Sequence, residues 1–102
     1  NLMKCITKQN NGNMKTKVYN MESPNGNKVA NQFEIYTDKG KYFQSYKSII
    51  AFIDNNGKVF LDDYYWDYSR TTGKYRNMFL NNNIDEAREK IKSGEYELKN
   101  LN

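Results

Sequence analysis

The dipeptide Asn56-Gly57 constrains this chain more than any other feature. Both residue types tolerate a positive φ, so the pair favours a tight turn between antiparallel strands. It lies between two apolar segments, Ile49-Ile50-Ala51-Phe52-Ile53 and Lys58-Val59-Phe60-Leu61. A hairpin over residues 49–61 follows. Its first arm is apolar at every position, which predicts a central strand buried on both faces. Upstream, Gln32-Phe33-Glu34-Ile35-Tyr36-Thr37 alternates with period two. Asp38-Lys39-Gly40 supplies a turn and Lys41-Tyr42-Phe43-Gln44-Ser45-Tyr46 returns, giving a second hairpin.

The later part of the chain changes period. Tyr75, Met78 and Phe79 fall at i, i+3 and i+4, one face of a helical turn. Ser69, Thr71 or Thr72 can cap that helix, and Gly73 belongs in its first turn. Asn81-Asn82-Asn83 breaks it. Residues 85–92 predict a second helix, with Asn83 as cap, acids leading, bases trailing and Gly94 as the stop. Ile84, Ala87 and Ile91 form its inner stripe. Glu95-Tyr96-Glu97-Leu98 then alternates, as an edge strand would. Strands first and two short helices late give an α+β fold, a small antiparallel sheet of hairpins with the helices on one face or end.

The first third is less ordered in its signals. Leu2, Met3, Cys5 and Ile6 alternate, Gln9 to Asn13 reads as a loose turn, and Lys15-Thr16-Lys17-Val18-Tyr19 suits a short strand. Ser23-Pro24-Asn25-Gly26-Asn27 is a turn that can join two such strands as a hairpin. Residues 1–31 therefore read as an N-terminal extension with short strand signals, and residues 32–102 as a single α+β domain. A chain of 102 residues makes one domain with a modest core. Only 37% of its residues are hydrophobic, but 15% are aromatic, and each ring buries about 150–250 Å².

Composition removes several function classes. Histidine is absent and Cys5 is the only cysteine. Ser-His-Asp and Cys-His catalysis, disulfide frameworks and nearly all zinc sites are excluded on that ground. Cys5 reads as a small strand residue. Asp62, Asp63 and Asp67 lack the alternate oxygens and distal glutamate of a calcium loop. They read as a solvated turn or, for Asp63 and Asp67, as braces for Arg70 or Lys74. The expectation is a protein that is not an enzyme and takes no metal or cofactor. With no apolar run near the length of a span and no leader pattern, it is expected in the cytoplasm and away from membranes.

What remains is a grip. Tyr64, Tyr65, Trp66 and Tyr68 precede Ser69-Arg70-Thr71-Thr72-Gly73-Lys74, and no acid lies between Arg70 and Leu80. The glycine spacing is not that of a nucleotide-binding loop. Hydroxyls, helix-start amides and cations can instead meet one backbone phosphate. If the aromatics continue a strand, either Tyr64 with Trp66 or Tyr65 with Tyr68 enters the core, and the other pair can stack on a partner.

The segment Ser45-Tyr46-Lys47-Ser48-Ile49-Ile50-Ala51, followed by Trp66-Asp67-Tyr68-Ser69-Arg70-Thr71-Thr72-Gly73-Lys74-Tyr75 and Phe79-Leu80, resembles a small uncharacterised domain family. That family occurs in phages, plasmids and other mobile elements of low-GC Gram-positive bacteria. The resemblance covers roughly residues 33–98 and carries no activity or site residues with it. It implies a short accessory protein of a mobile element. Such proteins bind the element's DNA, or bind a host protein to disable defence, as anti-CRISPR proteins do. DNA mimics are commonly acidic, whereas this chain is +4. DNA binding is therefore the favoured expectation and a host protein the alternative. Arg70, Lys74 and Arg76 would grip phosphates, supported by Lys39 and Lys41. Thr71 and Thr72 would position the backbone, Asn77 or a hairpin would read bases, and Tyr68 would stack. A β-ribbon is the expected DNA-facing element.

Overall fold

In a computed structural model, residues 16–102 are described. Leu2, Met3, Cys5, Ile6 and the turn at 9–13 lie outside them. Strands β1 (Lys17–Glu22), β2 (Lys28–Thr37), β3 (Gly40–Ser45), β4 (Ser48–Asp54) and β5 (Val59–Asp62) come first. Helices α1 (Arg70–Leu80) and α2 (Ile84–Ser93) follow, and β6 (Tyr96–Lys99) closes the order. The six strands form one sheet in sequence order. The first four pairings are antiparallel and β5–β6 is parallel. The protein is thus α+β, as the sequence pattern predicts. The parallel pair follows from the helices, since a crossover on one face returns the chain in its original direction.

The expected boundary after residue 31 falls inside β2, and β1 is zipped along it from Lys17↔Tyr36 to Glu22↔Lys28. The segment at 23–27 is a hairpin turn, with Gly26 N–H donating to the Ser23 carbonyl at 2.8 Å. The Asn56-Gly57 hairpin forms as read, with Gly57 at φ 86° and Asp54 Oδ1 accepting from the amides of Asn56 and Lys58. Gly40 has no substitute. A Cβ there would collide with the Ile53 carbonyl oxygen of the neighbouring strand.

Burial of β4 differs from expectation. Ile50 and Ala51 are both buried, because a bulge between Phe43 and Gln44 of β3 leaves Ile50 as an extra residue and lets two neighbours reach the core. Phe52 points to the other face and is only half-buried. It stacks between Tyr42 at 4.3 Å and Phe60 at 6.0 Å. Both helices cover the Phe43 face: Phe79 of α1 sits 5.8 Å from Phe43, and α2 packs on β6. The aromatic ladder lies on the opposite face, with Lys58 and Lys99 over the Phe60 ring. No described helix is long and apolar enough to cross a membrane.

Of the five buried polar side chains among the described residues, Asp62 and Gln32 make opposite cases. The Asp62 carboxylate is buried at the end of β5. Its Oδ2 accepts from the amides of Tyr64 and Tyr65, and Oδ1 from the Leu101 amide and Asn102 Nδ2, at 2.8–3.1 Å. Asn102 in turn bonds both the amide and carbonyl of Ile49. Burial pushes the Asp62 carboxyl up, but the donors at Leu101, Tyr65, Asn102 and Tyr64 outweigh it and hold it below the ordinary aspartate value. Gln32 is the opposite case. It is fully buried, and neither end of its amide has a partner among the described residues.

Two outcomes are expected. Asp62→Ala should lose about 2–4 kcal/mol in urea denaturation, since buried amides would be left unpaired. The Asp62 contribution is complete above the unfolded value of about 3.9 and is lost as pH falls through the lower folded value. The wild-type melting temperature should therefore drop below about pH 4 more steeply than that of Asp62→Asn. Gln32→Met, of similar shape and apolar, should raise stability by about 1 kcal/mol, or several degrees of melting temperature.

Candidate functional site

Residues 63–68 are a turn, not a continued strand, so the alternation expected of the aromatics does not hold. Trp66 N–H donates to the Asp62 carbonyl at 3.1 Å and Tyr68 N–H to that of Tyr65 at 3.3 Å. The neighbours Tyr65 and Trp66 turn inward against the core, while Tyr64 and Tyr68 stay exposed. The turn ends at Ser69, whose Oγ accepts from Thr72 N–H at 3.1 Å and caps α1. Asn81 closes the helix in a left-handed conformation.

The inward stripe of α1 is Thr72, Tyr75, Arg76 and Phe79, and Met78 faces solvent. That corrects the Tyr75–Met78–Phe79 face by one position. Arg76 is 1% exposed. Its Nη1 donates to the Trp66 carbonyl at 2.6 Å and to Asp67 Oδ1 at 3.1 Å, and Nη2 donates to Asn77 Oδ1 at 3.0 Å. The guanidinium lies 5.3 Å from the Trp66 ring centre. Asp67 is a brace as expected, but for Arg76, with Arg88 at 3.9 Å, rather than for Arg70 or Lys74. Spacing 72-75-76-79 is itself i, i+3, i+4, i+7. A charged residue in that stripe ordinarily faces solvent, so the spacing alone did not show that Arg76 turns inward.

The outer side of α1 faces an open groove of about 1060 Å³. Arg70, Lys74, Asn77 and Met78 line it, with Arg88 from α2 and Pro24 from the β1–β2 turn. Arg70 and Lys74 are exposed, and among the described residues no acidic side chain lies within ion-pair distance of either. Arg88 adds a third, exposed cation, ion-paired with Asp67 at 3.9 Å, and the sequence pattern gave no hint of it because it lies in the second helix among acids. Asp67 is the one carboxylate on the lining.

The other expected site residues separate. Thr71 is exposed beside Arg70. Thr72 is buried and bonded to Ser45 and Ser69, so it is unavailable to a ligand in the groove. Asn77 has its oxygen committed to Arg76. Lys39 is exposed at the β2–β3 turn, and Lys41 lies 5.5 Å over the Phe79 ring. Neither lines the groove. Tyr68 lines a separate cleft on the other side of Ser69.

A family described as "Family of unknown function (DUF8033)" matches residues 4–96. The chain belongs to this family. The family domain includes β1 and β2 as well as the later elements, and so starts well before residue 33, where the resemblance begins. No curated protein and no solved structure matches it.

Replacing Arg76 tests its placement. Arg76→Leu leaves Asp67 and the Trp66 carbonyl without their donor and should cost about 2 kcal/mol or more. Arg76→Lys should recover little, since an ammonium cannot bridge Trp66, Asp67 and Asn77 as a planar fork does. Thermal melts of both variants check this.

Proposed function

We propose that this domain is a non-enzymatic DNA-binding protein that holds backbone phosphates in the α1–α2 groove. The observation that carries the reading is the grouping of Arg70, Lys74 and Arg88 on one concave surface whose single lining carboxylate, Asp67, is shared between the buried Arg76 and Arg88. Arg70 and Lys74 are one turn apart, about 6 Å along the axis, so they can reach different phosphates of one strand. The exposed side of a helix replaces the β-ribbon as the DNA-facing element. The resemblance to domains of phages and plasmids supports a role as an accessory protein of a mobile element, acting in the cytoplasm on that element's DNA.

A second reading draws on the tyrosines. Tyr46, Tyr64 and Tyr68 are 56%, 69% and 63% exposed. Such a patch suits hot-spot contacts with a host protein, as an inhibitor of a defence system would make.

Binding of fluorescent duplex DNA across a salt series separates the two. DNA binding predicts a linear fall of log affinity with log salt, with a slope of about −0.9 per phosphate contact. Arg70→Ala with Lys74→Ala should flatten the slope by about two units for every sequence, while the melting temperature stays within the small range of surface charges. No DNA binding at low salt, duplex or single-stranded, would reject the proposal and leave the protein-binding reading.

A further inference from the structure

The β3–β4 turn, the 63–68 turn and the start of α1 enclose a cleft of about 290 Å³. Tyr46, Tyr65 and Tyr68 line it together with the hydroxyls of Ser45, Ser48, Ser69 and Thr72. Two of these rings pack together, Tyr65 lying 5.4 Å from Tyr68, and Tyr64 backs them at 4.7 Å from Tyr65. The polar part is held in place, since buried Ser45 and Thr72 share a hydrogen bond of 3.0 Å.

Tyr46 is the telling residue. It occupies the first position of a two-residue turn with φ 57°, where a Cβ is disfavoured and glycine or asparagine is the usual choice. Two bonds keep it there: its amide donates to the Asn31 carbonyl at 2.7 Å, and Gln44 Nε2 donates to its own carbonyl at 2.7 Å. The ring gains little packing in return, being more than half exposed. Backbone strain held without a packing return points to a ring placed for a ligand.

We propose that this cleft receives one unpaired nucleobase of a strand whose phosphates lie in the neighbouring groove. The inference rests on the DNA reading above and adds to it a preference for unpaired bases. The volume sits at the lower limit of small-molecule sites, about 300–1000 Å³, which suits one base and not a run of them. Tyrosine faces stack on any base, and hydroxyls donate or accept as the base edge requires. Ser69 lines both the cleft and the groove. A backbone resting on Arg70 thus has its base beside the cleft mouth.

The test compares a matched duplex, the same duplex with a one-nucleotide bulge, and single-stranded DNA, at one fixed salt concentration. Wild type should bind the bulged and single-stranded forms roughly 10- to 100-fold more tightly, the range expected of one base stacked on aromatic side chains. Tyr46→Gly and Tyr68→Leu should each remove that preference. Tyr46→Gly also relieves the strained turn, so its melting temperature should stay level or rise, which keeps loss of preference distinct from loss of folding. Equal affinity of wild type for all three DNAs overturns the inference while leaving the groove intact. A preference that survives in both variants overturns the cleft as its source. Absence of binding to any DNA overturns this inference and the function together.

Discussion

The guanidinium of Arg76 is the fastening on which the arrangement of this domain depends. A buried cation is costly unless its charge and its donors are met. Here Asp67 supplies the charge, the Trp66 carbonyl and Asn77 take donors of the two Nη groups, the Trp66 ring covers the group, and Nε alone is left without a partner among the described residues. All three partners but Asn77 lie in the turn before α1. The bond set therefore fixes the roll of the helix against that turn. With Arg76 turned inward, Arg70 and Lys74 are carried outward by the helical period, and Met78 with them. The groove is a geometric consequence of where one arginine is buried.

Asp62 does the same at the other end of the turn. A carboxylate accepting two amides of the turn and two donors from residues 101–102 joins segments that are far apart in sequence. The domain is poor in aliphatic residues, and its buried hydrophobic cluster is small. Charge-assisted bonds to backbone give a specific geometry that a few aromatic rings alone would not. Gln32 shows the limit of that strategy, being buried without either bond. The turn at 63–68 is held at both ends by ionised side chains, which is why a polar, tyrosine-rich segment can be ordered at all.

Elements whose cause is local were legible in the sequence. Asn56-Gly57, the period-two runs around Gly40, the Asn83 cap and Gly94 all act within a few residues, and each element forms where they place it. The features that were not legible depend on contacts across the chain. Whether 63–68 is strand or turn is decided by Asp62 and Arg76 together. The inward position of Arg76 is decided by Trp66 and Asp67. The parallel pairing of β6 is decided by where α2 ends. For the site, Arg70 and Lys74 were readable as cations near a helix start. Arg88 was not, because only folding brings α2 alongside α1. Thr72 looked like a surface hydroxyl and is a core one, bonded to Ser45 from another hairpin.

Ser69 is the point where these threads meet. Its side chain ends the turn by capping α1 and donates to Thr72 Oγ1, which holds Ser45 and with it the base of the β3–β4 turn. On one side of it lies the cationic groove, on the other the tyrosine cleft. Phosphate contacts give affinity that is indifferent to sequence and to pairing, while a cleft for a single ring responds to whether a base is free. Placing both on one capping residue makes the second dependent on the first. On the proposed reading, a backbone resting on Arg70 brings its base to Tyr46 and Tyr68. If the proposal holds, a domain this small combines a non-specific grip with a selective one without a second binding module, because the turn between Asp62 and Arg76 fixes the distance between them.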